Sequence, residues 1–224
     1  MADRTTRVQF LKGVGEARAK TLAKQGIFSV DDVLRNYPRA YEDWNNITTI
    51  KNAAIGENVC LKAIVAENPT VARINGGKIL VKTAIADGTD YMHIVFFNNK
   101  YVKDQLIEKE EYLFFGKISQ DKYGAKTMLS PRFEKSPEKQ RIRPVYKATS
   151  ALSSKTIERL TENALGEIKG NIPEIIPDYV IKKYKLMGFE DALRTVHFPE
   201  TEKDLSLAKR RLILKNFFFC KWGF

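Results

Sequence analysis

Tyr91-Met92-His93-Ile94-Val95-Phe96-Phe97-Asn98-Asn99-Lys100-Tyr101 decides how the rest of the chain is read. It predicts a β-strand that ends on two adjacent phenylalanines and turns at once into polar and basic residues. Strand alternation puts Met92, Ile94 and Phe96 on one face and Tyr91, His93, Val95 and Phe97 on the other. The first set is wholly apolar and suits a core. The second is mixed and suits solvent, which leaves Phe97 exposed at a strand end, four residues before Tyr101. In a chain of net charge +11, exposed aromatics beside lysines suggest a platform on which nucleic-acid bases stack.

Outward from this strand, residues 45–147 carry a period of two. Strands are predicted over Val59–Val65, Lys78–Ala86, Tyr91–Phe97, Tyr112–Ser119 and Lys126–Phe133. Turn signals separate them at Asn75-Gly76-Gly77, Asp87-Gly88-Thr89-Asp90 and Asp121-Lys122-Tyr123-Gly124. Between the third and fourth strands a short helix is expected from Lys100 to Ile107, capped by Asn98 or Asn99. Three strands, a short helix and two strands is the order of an OB-fold, a small barrel that commonly binds nucleic acid. Val59, Leu61, Ala63 and Val65 point inward and leave Lys62 outside. Ile79, Val81 and Ile85 do the same and leave Lys78 and Lys82 outside, and Lys117 lies out of phase with Tyr112, Phe114 and Ile118. Lysines at mid-strand suit a phosphate track, and they suit equally the protection of strand edges against aggregation.

The flanking stretches read as helical. In residues 1–44, Val8, Leu11, Val14, Ala19, Leu22 and Ala23 recur at helical spacing around Gly13-Val14-Gly15. That turn is similar to the one in a helix-hairpin-helix, whose amides face a DNA phosphate; two glycines also serve a plain tight turn. Ser29 is expected to cap a helix from Asp31 to Asn36, which Tyr37-Pro38 ends. In residues 148–224, Leu152, Ile157, Leu160, Ala164 and Leu165 form an amphipathic stripe begun by Ser153-Ser154. The last segment, Leu205 to Phe218, reads as a long helix with a basic cluster at Lys209-Arg210-Arg211, without a cap or a stop. Such an ending is expected of a chain cut within a larger protein, or of a tag-like tail. The fold class is therefore α+β, a five-stranded OB-fold barrel between helical segments.

Composition narrows the function. A 43% apolar and 29% charged chain of 224 residues is an ordinary globular composition. The net charge is +2 over residues 1–44, +6 over 45–147 and +3 over 148–224, and a pI near 9.5 favours a polyanionic partner. No signal peptide is expected, and no apolar run is long enough to span a bilayer. Cys60 and Cys220 are too few for a disulfide framework or a zinc site, so a cytoplasmic setting without membrane association is expected. Catalytic chemistry is absent. Gly13 to Thr21 lacks the glycine before the lysine of a phosphate loop. His93, on a solvent face, and His197, in a loop before Pro199, have no ligand-spaced partners. The adjacent pairs Asp31-Asp32, Glu42-Asp43 and Glu110-Glu111 diverge in any regular element. This chain alone is expected to hydrolyse nothing.

Six motifs in order carry a family resemblance: Leu11-Lys12-Gly13-Val14-Gly15, Tyr37-Pro38-Arg39-Ala40-Tyr41-Glu42-Asp43, Phe96-Phe97-Asn98, Tyr123-Gly124-Ala125, Arg143-Pro144-Val145-Tyr146 and Ala192-Leu193-Arg194-Thr195-Val196-His197-Phe198-Pro199. Their order resembles the amino-terminal region of the RecG family of bacterial ATP-dependent DNA helicases, which remodel stalled forks. The resemblance implies that residues 45–147 are a wedge that splits duplex DNA at a branch point, with aromatics capping the orphaned bases. The matching positions are Phe97 and Tyr101, with Phe96 beside them and mainly in the core; Lys100, Lys62, Lys82 and Lys117 are the candidate phosphate contacts. Unstacking a base step costs about one to two kcal/mol, and stacking on an aromatic returns a similar amount. The resemblance further implies a role in DNA repair and recombination at replication forks and Holliday junctions. The helicase lobes, with their ATP and Mg2+, would follow residues 148–224, a helical linker, and unwinding belongs to that longer protein; no cofactor is expected in this chain. The partners implied are branched DNA, those lobes and single-stranded-DNA-binding protein, with a monomeric state. A free-standing OB-fold protein that binds single strands or a protein tail is the alternative.

Overall fold

A computed structural model describes residues 3–74, 76–135, 142–170, 172–174 and 176–222, the last eight of these as helical backbone alone. Along the chain run a 3-10 turn (Val8–Phe10), α1 (Glu16–Ala23), α2 (Val30–Arg35), β1 (Ala40–Asp43), β2 (Ile47–Thr48), β3 (Asn58–Val65), β4 (Thr70–Ile74), β5 (Lys78–Ala86), β6 (Tyr91–Phe97), α3 (Val102–Gln105), β7 (Glu111–Gln120), β8 (Lys126–Leu129), β9 (Arg132–Lys135), β10 (Ile142–Val145), α4 (Ser154–Glu167), α5 (Asp178–Tyr184), α6 (Phe189–His197) and α7 (Glu202–Trp222). They form two compact units, residues 1–42 with 142–224, and residues 43–141.

The two helical stretches, read separately in the sequence as 1–44 and 148–224, share one core. Leu11, Leu22, Val33 and Leu34 pack with Leu160, Ala164, Leu193, Val196 and Ala208. Neither stripe buries its apolar face alone, and each supplies the other's cover. Local signals set the ends. Ser29 and Asp32 form a reciprocal capping box on α2, and Ser153 accepts from the Thr156 amide at 3.1 Å to start α4. Contrary to the sequence reading, α7 is capped: the Asp204 amide donates to Thr201 Oγ1 at 3.1 Å.

Two further expectations change in this unit. His197 is not a loop residue; it ends α6 and is fully buried. Its Nε2 lies 2.9 Å from the Leu34 carbonyl, so that nitrogen carries the proton, and Nδ1 accepts from the Tyr146 hydroxyl at 2.9 Å. The ring is stacked between Tyr37 and Tyr146. The basic cluster of α7 also divides. Arg211 is fully buried, paired with Glu174 and set 5.4 Å over the Phe189 ring, and Lys209 lies over Tyr41 at 4.9 Å. Arg210, the third member of the cluster, is exposed. Among the described residues no helix is long and apolar enough to cross a membrane.

The second unit is a closed five-stranded barrel. β3 pairs antiparallel with β7 (Leu61 opposite Phe114) and, at its end, with β5 (Val65 opposite Ile85). β5 pairs with β6 along its length, β6 runs parallel to β8, and β8 returns antiparallel to β7. The circuit β3-β5-β6-β8-β7 with α3 between its third and fourth strands is the OB-fold order. Leu61, Val81, Ile85, Met92, Ile94, Phe96, Phe114, Ile118 and Met128 fill its interior, and Val102 and Leu106 of the α3 segment close one end. The predicted last strand, Lys126–Phe133, divides into β8 and β9 because Ser130 takes a positive φ of 45° and Pro131 offers no amide. β4, absent from the sequence reading, pairs with β5 to make a hairpin.

Where β7 passes β8, the strands meet too closely for a side chain. A Cβ at Gly116 would stand 2.8 Å from Met128 Sδ and 3.4 Å from the Pro131 Cα. Gly116→Ala is expected to lower stability by about 1–3 kcal/mol through overpacking, measurable as a lower denaturant midpoint with an unchanged slope.

Candidate nucleic-acid interface

The alternation of β6 holds residue by residue. Phe96 is 4% exposed and packs edge-on against Phe133 at 5.7 Å between ring centroids. Phe97 is 44% exposed on the opposite face, and Tyr101, just before α3, is 64% exposed. Lys100 Nζ lies 5.4 Å from the centre of the Tyr101 ring, which pairs a cation with the aromatic face. Phe97, Lys100 and Tyr101 thus sit on one short loop at the end of the third barrel strand.

The turn between them is set by Asn98. Its φ is 55°, a left-handed conformation that asparagine tolerates better than most residues. Its amide donates to the Ile79 carbonyl at 2.7 Å, and its Oδ1 accepts from the Ile79 amide at 3.2 Å. Asn98 therefore ties the loop to β5 instead of capping a helix, and α3 begins without a side-chain cap. Sequence reasoning missed this role because a cap and a strand tie use the same side-chain oxygen.

The three strand lysines do not form one track. Lys82 is exposed on β5 opposite Val95, which places it on the outward face that carries Phe97. Lys62 and Lys117 belong to the β3–β7 pair. Lys62 is bound to Glu111 at 2.9 Å, and Lys117 lies opposite Asn58 in an exposed position. Between them the outward face is occupied by Cys60, Leu113 and Phe115 under Trp44, stacked on Phe115 at 5.7 Å.

The Gly13-Val14-Gly15 turn serves packing. The Lys12 amide donates to Glu167 Oε1 at 3.2 Å, and Asn163 donates to the Lys12 carbonyl at 2.7 Å. Gly13 has φ 88°, and a Cβ there would touch Asn163 and Leu160 of α4. The carboxylate of Glu167 thus takes the amide just before the turn. His93 lies half-buried on β6, its Nδ1 unpartnered among the described residues, and no group of three or more potential metal ligands occurs among those residues.

Known proteins match this arrangement over most of the chain. A family model, the RecG wedge domain, matches residues 7–168. The ATP-dependent DNA helicase RecG of Thermotoga maritima is 28% identical over 230 aligned positions, covering 99% of this chain and 29% of that protein. RecG of Escherichia coli K12 is 30% identical, covering 92% of this chain and 31% of that protein. The solved structure of RecG bound to a three-way DNA junction superimposes with a TM-score of 0.83 at 27% identity, over 95% of this chain and 30% of that one. The chain thus spans about 30% of the length of these relatives. With a barrel of OB-fold order and a family match that runs through it, the chain belongs to the RecG wedge domain family.

Proposed function

We propose that this chain binds branched DNA, at forks and Holliday junctions, as the wedge portion of a RecG-type ATP-dependent helicase acting in repair and recombination. The observation that carries the reading is the pair Phe97 and Tyr101, exposed together on a loop held by Asn98 with Lys100 over the tyrosine ring. Such a pair can receive the two bases orphaned when a base pair at the branch is opened, and stacking offsets the loss. Lys82 and Lys100 supply charge for the adjoining phosphates. Strand separation driven by ATP and Mg2+ belongs, on this reading, to motor domains of a longer polypeptide, which are its first partners. Single-stranded-DNA-binding protein is a further partner, and the working state is a cytoplasmic monomer.

The test is a comparison of affinities for a three-way junction, a linear duplex and a single strand of matched length at fixed salt. The chain is expected to bind the junction at least about tenfold more tightly than the duplex, from one to two stacked bases. A single strand bound as tightly as the junction would instead favour a free-standing single-strand binder.

A further inference from the structure

β4 is an open edge that lacks the usual means of closing one. Among the described residues β5 is its strand partner, and nothing pairs along its other side. The register with β5 is unbroken, from Thr70 opposite Lys82 through Ala72 opposite Leu80 to Ile74 opposite Lys78, so no bulge turns the edge away. The strand contains neither proline nor lysine, and every residue of it is exposed, Val71 and Ile74 included. Edges of this kind pair readily with another extended chain.

The far side of β5 shows which backbone groups face outward. The Asn98 amide donates to the Ile79 carbonyl at 2.7 Å, one rung beyond the Leu80–Phe97 pair. Backbone groups alternate in direction along an antiparallel strand. Ile79 therefore turns its carbonyl to β6, and Leu80 turns its amide and carbonyl to β4. Ala72, opposite Leu80, answers toward β5, which leaves Val71 and Arg73 with their N–H and C=O groups directed away from the sheet.

An occupant must meet donors and acceptors in alternation, and a second peptide backbone does so. A nucleic-acid backbone offers phosphate acceptors and leaves the carbonyls unmet. Charge narrows the choice. β4, β5 and β6 contain no aspartate or glutamate, and Arg73, Lys78 and Lys82 are all exposed. A second copy of this edge would bring like charges together. We propose that the free edge of β4 takes an extended acidic segment of a protein partner as an added strand, a mode in which main-chain bonds give affinity and alternate side chains give specificity. Carboxylates of that segment lie on the face of Arg73, and its apolar side chains on the face of Ile74. The site is independent of any stacking on Phe97.

The test is fluorescence anisotropy of the whole chain with a labelled peptide of alternating glutamate and valine, about ten residues long. A second peptide of the same sequence is N-methylated through its centre, which keeps the charge and removes the backbone donors. It should bind at least about tenfold more weakly, from two or more lost hydrogen bonds. Val71→Pro removes an outward amide without touching the bonds to β5. It should weaken the unmodified peptide to a similar degree at an unchanged thermal midpoint, and if this variant fails to fold, the methylated peptide on the parent chain decides. Arg73→Gln should weaken binding severalfold and flatten its salt dependence. Equal binding of the two peptides would mean that charge alone attracts them and would overturn the added strand. A matching loss of oligo(dT) affinity in Val71→Pro would make the edge a nucleic-acid surface instead. A parent dimer that Val71→Pro dissociates in sedimentation would assign the edge to a second copy of the chain.

Discussion

Phe97→Ala is expected to lower affinity for a three-way junction by about fivefold to a hundredfold, since stacking one base on an aromatic contributes about 1–3 kcal/mol. Linear duplex, which offers no unpaired base at a branch, should be bound as before. Phe97 is 44% exposed, so its removal should leave the thermal midpoint almost unchanged. The neighbouring position separates the two roles. Phe96 is buried against Phe133 inside the barrel, and Phe96→Ala is expected to cost about 3–5 kcal/mol of stability, losing binding of every DNA together with the fold. Tyr101→Ala should behave like Phe97→Ala. Anisotropy titrations of the three variants against junction and duplex, with thermal melts alongside, read both effects. If Phe97→Ala keeps the parent's preference for the junction, the aromatic pair does not touch the orphaned bases.

The division of labour between the two phenylalanines was legible because β6 is buried on one face only. A period of two then forces Phe96 inward and Phe97 outward wherever the strand lies. Barrel order followed from turn signals between alternating segments for the same reason. β4 escaped notice because Thr70–Ile74 is exposed along its whole length, so no alternation marks it. Only the glycines at Gly76 and Gly77 hint at a hairpin. The lysines show the limit of strand phase: it says that Lys62, Lys82 and Lys117 all point outward, and it does not say which share a face. Register decides that: it places Lys82 opposite Val95, and Lys62 opposite Leu113 on another pair of strands, where its ammonium reaches diagonally to Glu111. The helical unit was less legible still. A stripe of leucines on α4 shows that a face must be covered, but its cover comes from residues more than a hundred positions earlier. His197 was misplaced for a related reason, because Pro199 two residues later reads as a loop signal while the partners that bury the ring, Leu34 and Tyr146, are distant in sequence.

That buried histidine should make the helical unit acid-labile. Burial pushes the His197 imidazole down to about 4 from an ordinary 6.5, because a charged ring would lack water and would turn Nδ1 from acceptor to donor against the Tyr146 hydroxyl. The unfolded chain therefore takes up a proton between pH 6.5 and 4 that the folded chain refuses. Stability is full above the unfolded value and falls as pH drops through this window, by about 1.4 kcal/mol per pH unit and about 3 kcal/mol across it. The carboxylates Asp32 and Asp87 are held below their ordinary 3.8, so their contributions are lost at lower pH, beneath the histidine window. His197→Gln keeps a neutral amide in the site and removes the titration. It should be less stable than the parent at neutral pH, yet its stability should change little between pH 6.5 and 4. Urea denaturation at several pH values in that range, on both chains, separates the two curves. Equal slopes against pH would mean that the ring is protonated within the fold, with the Tyr146 hydroxyl turned to accept from it.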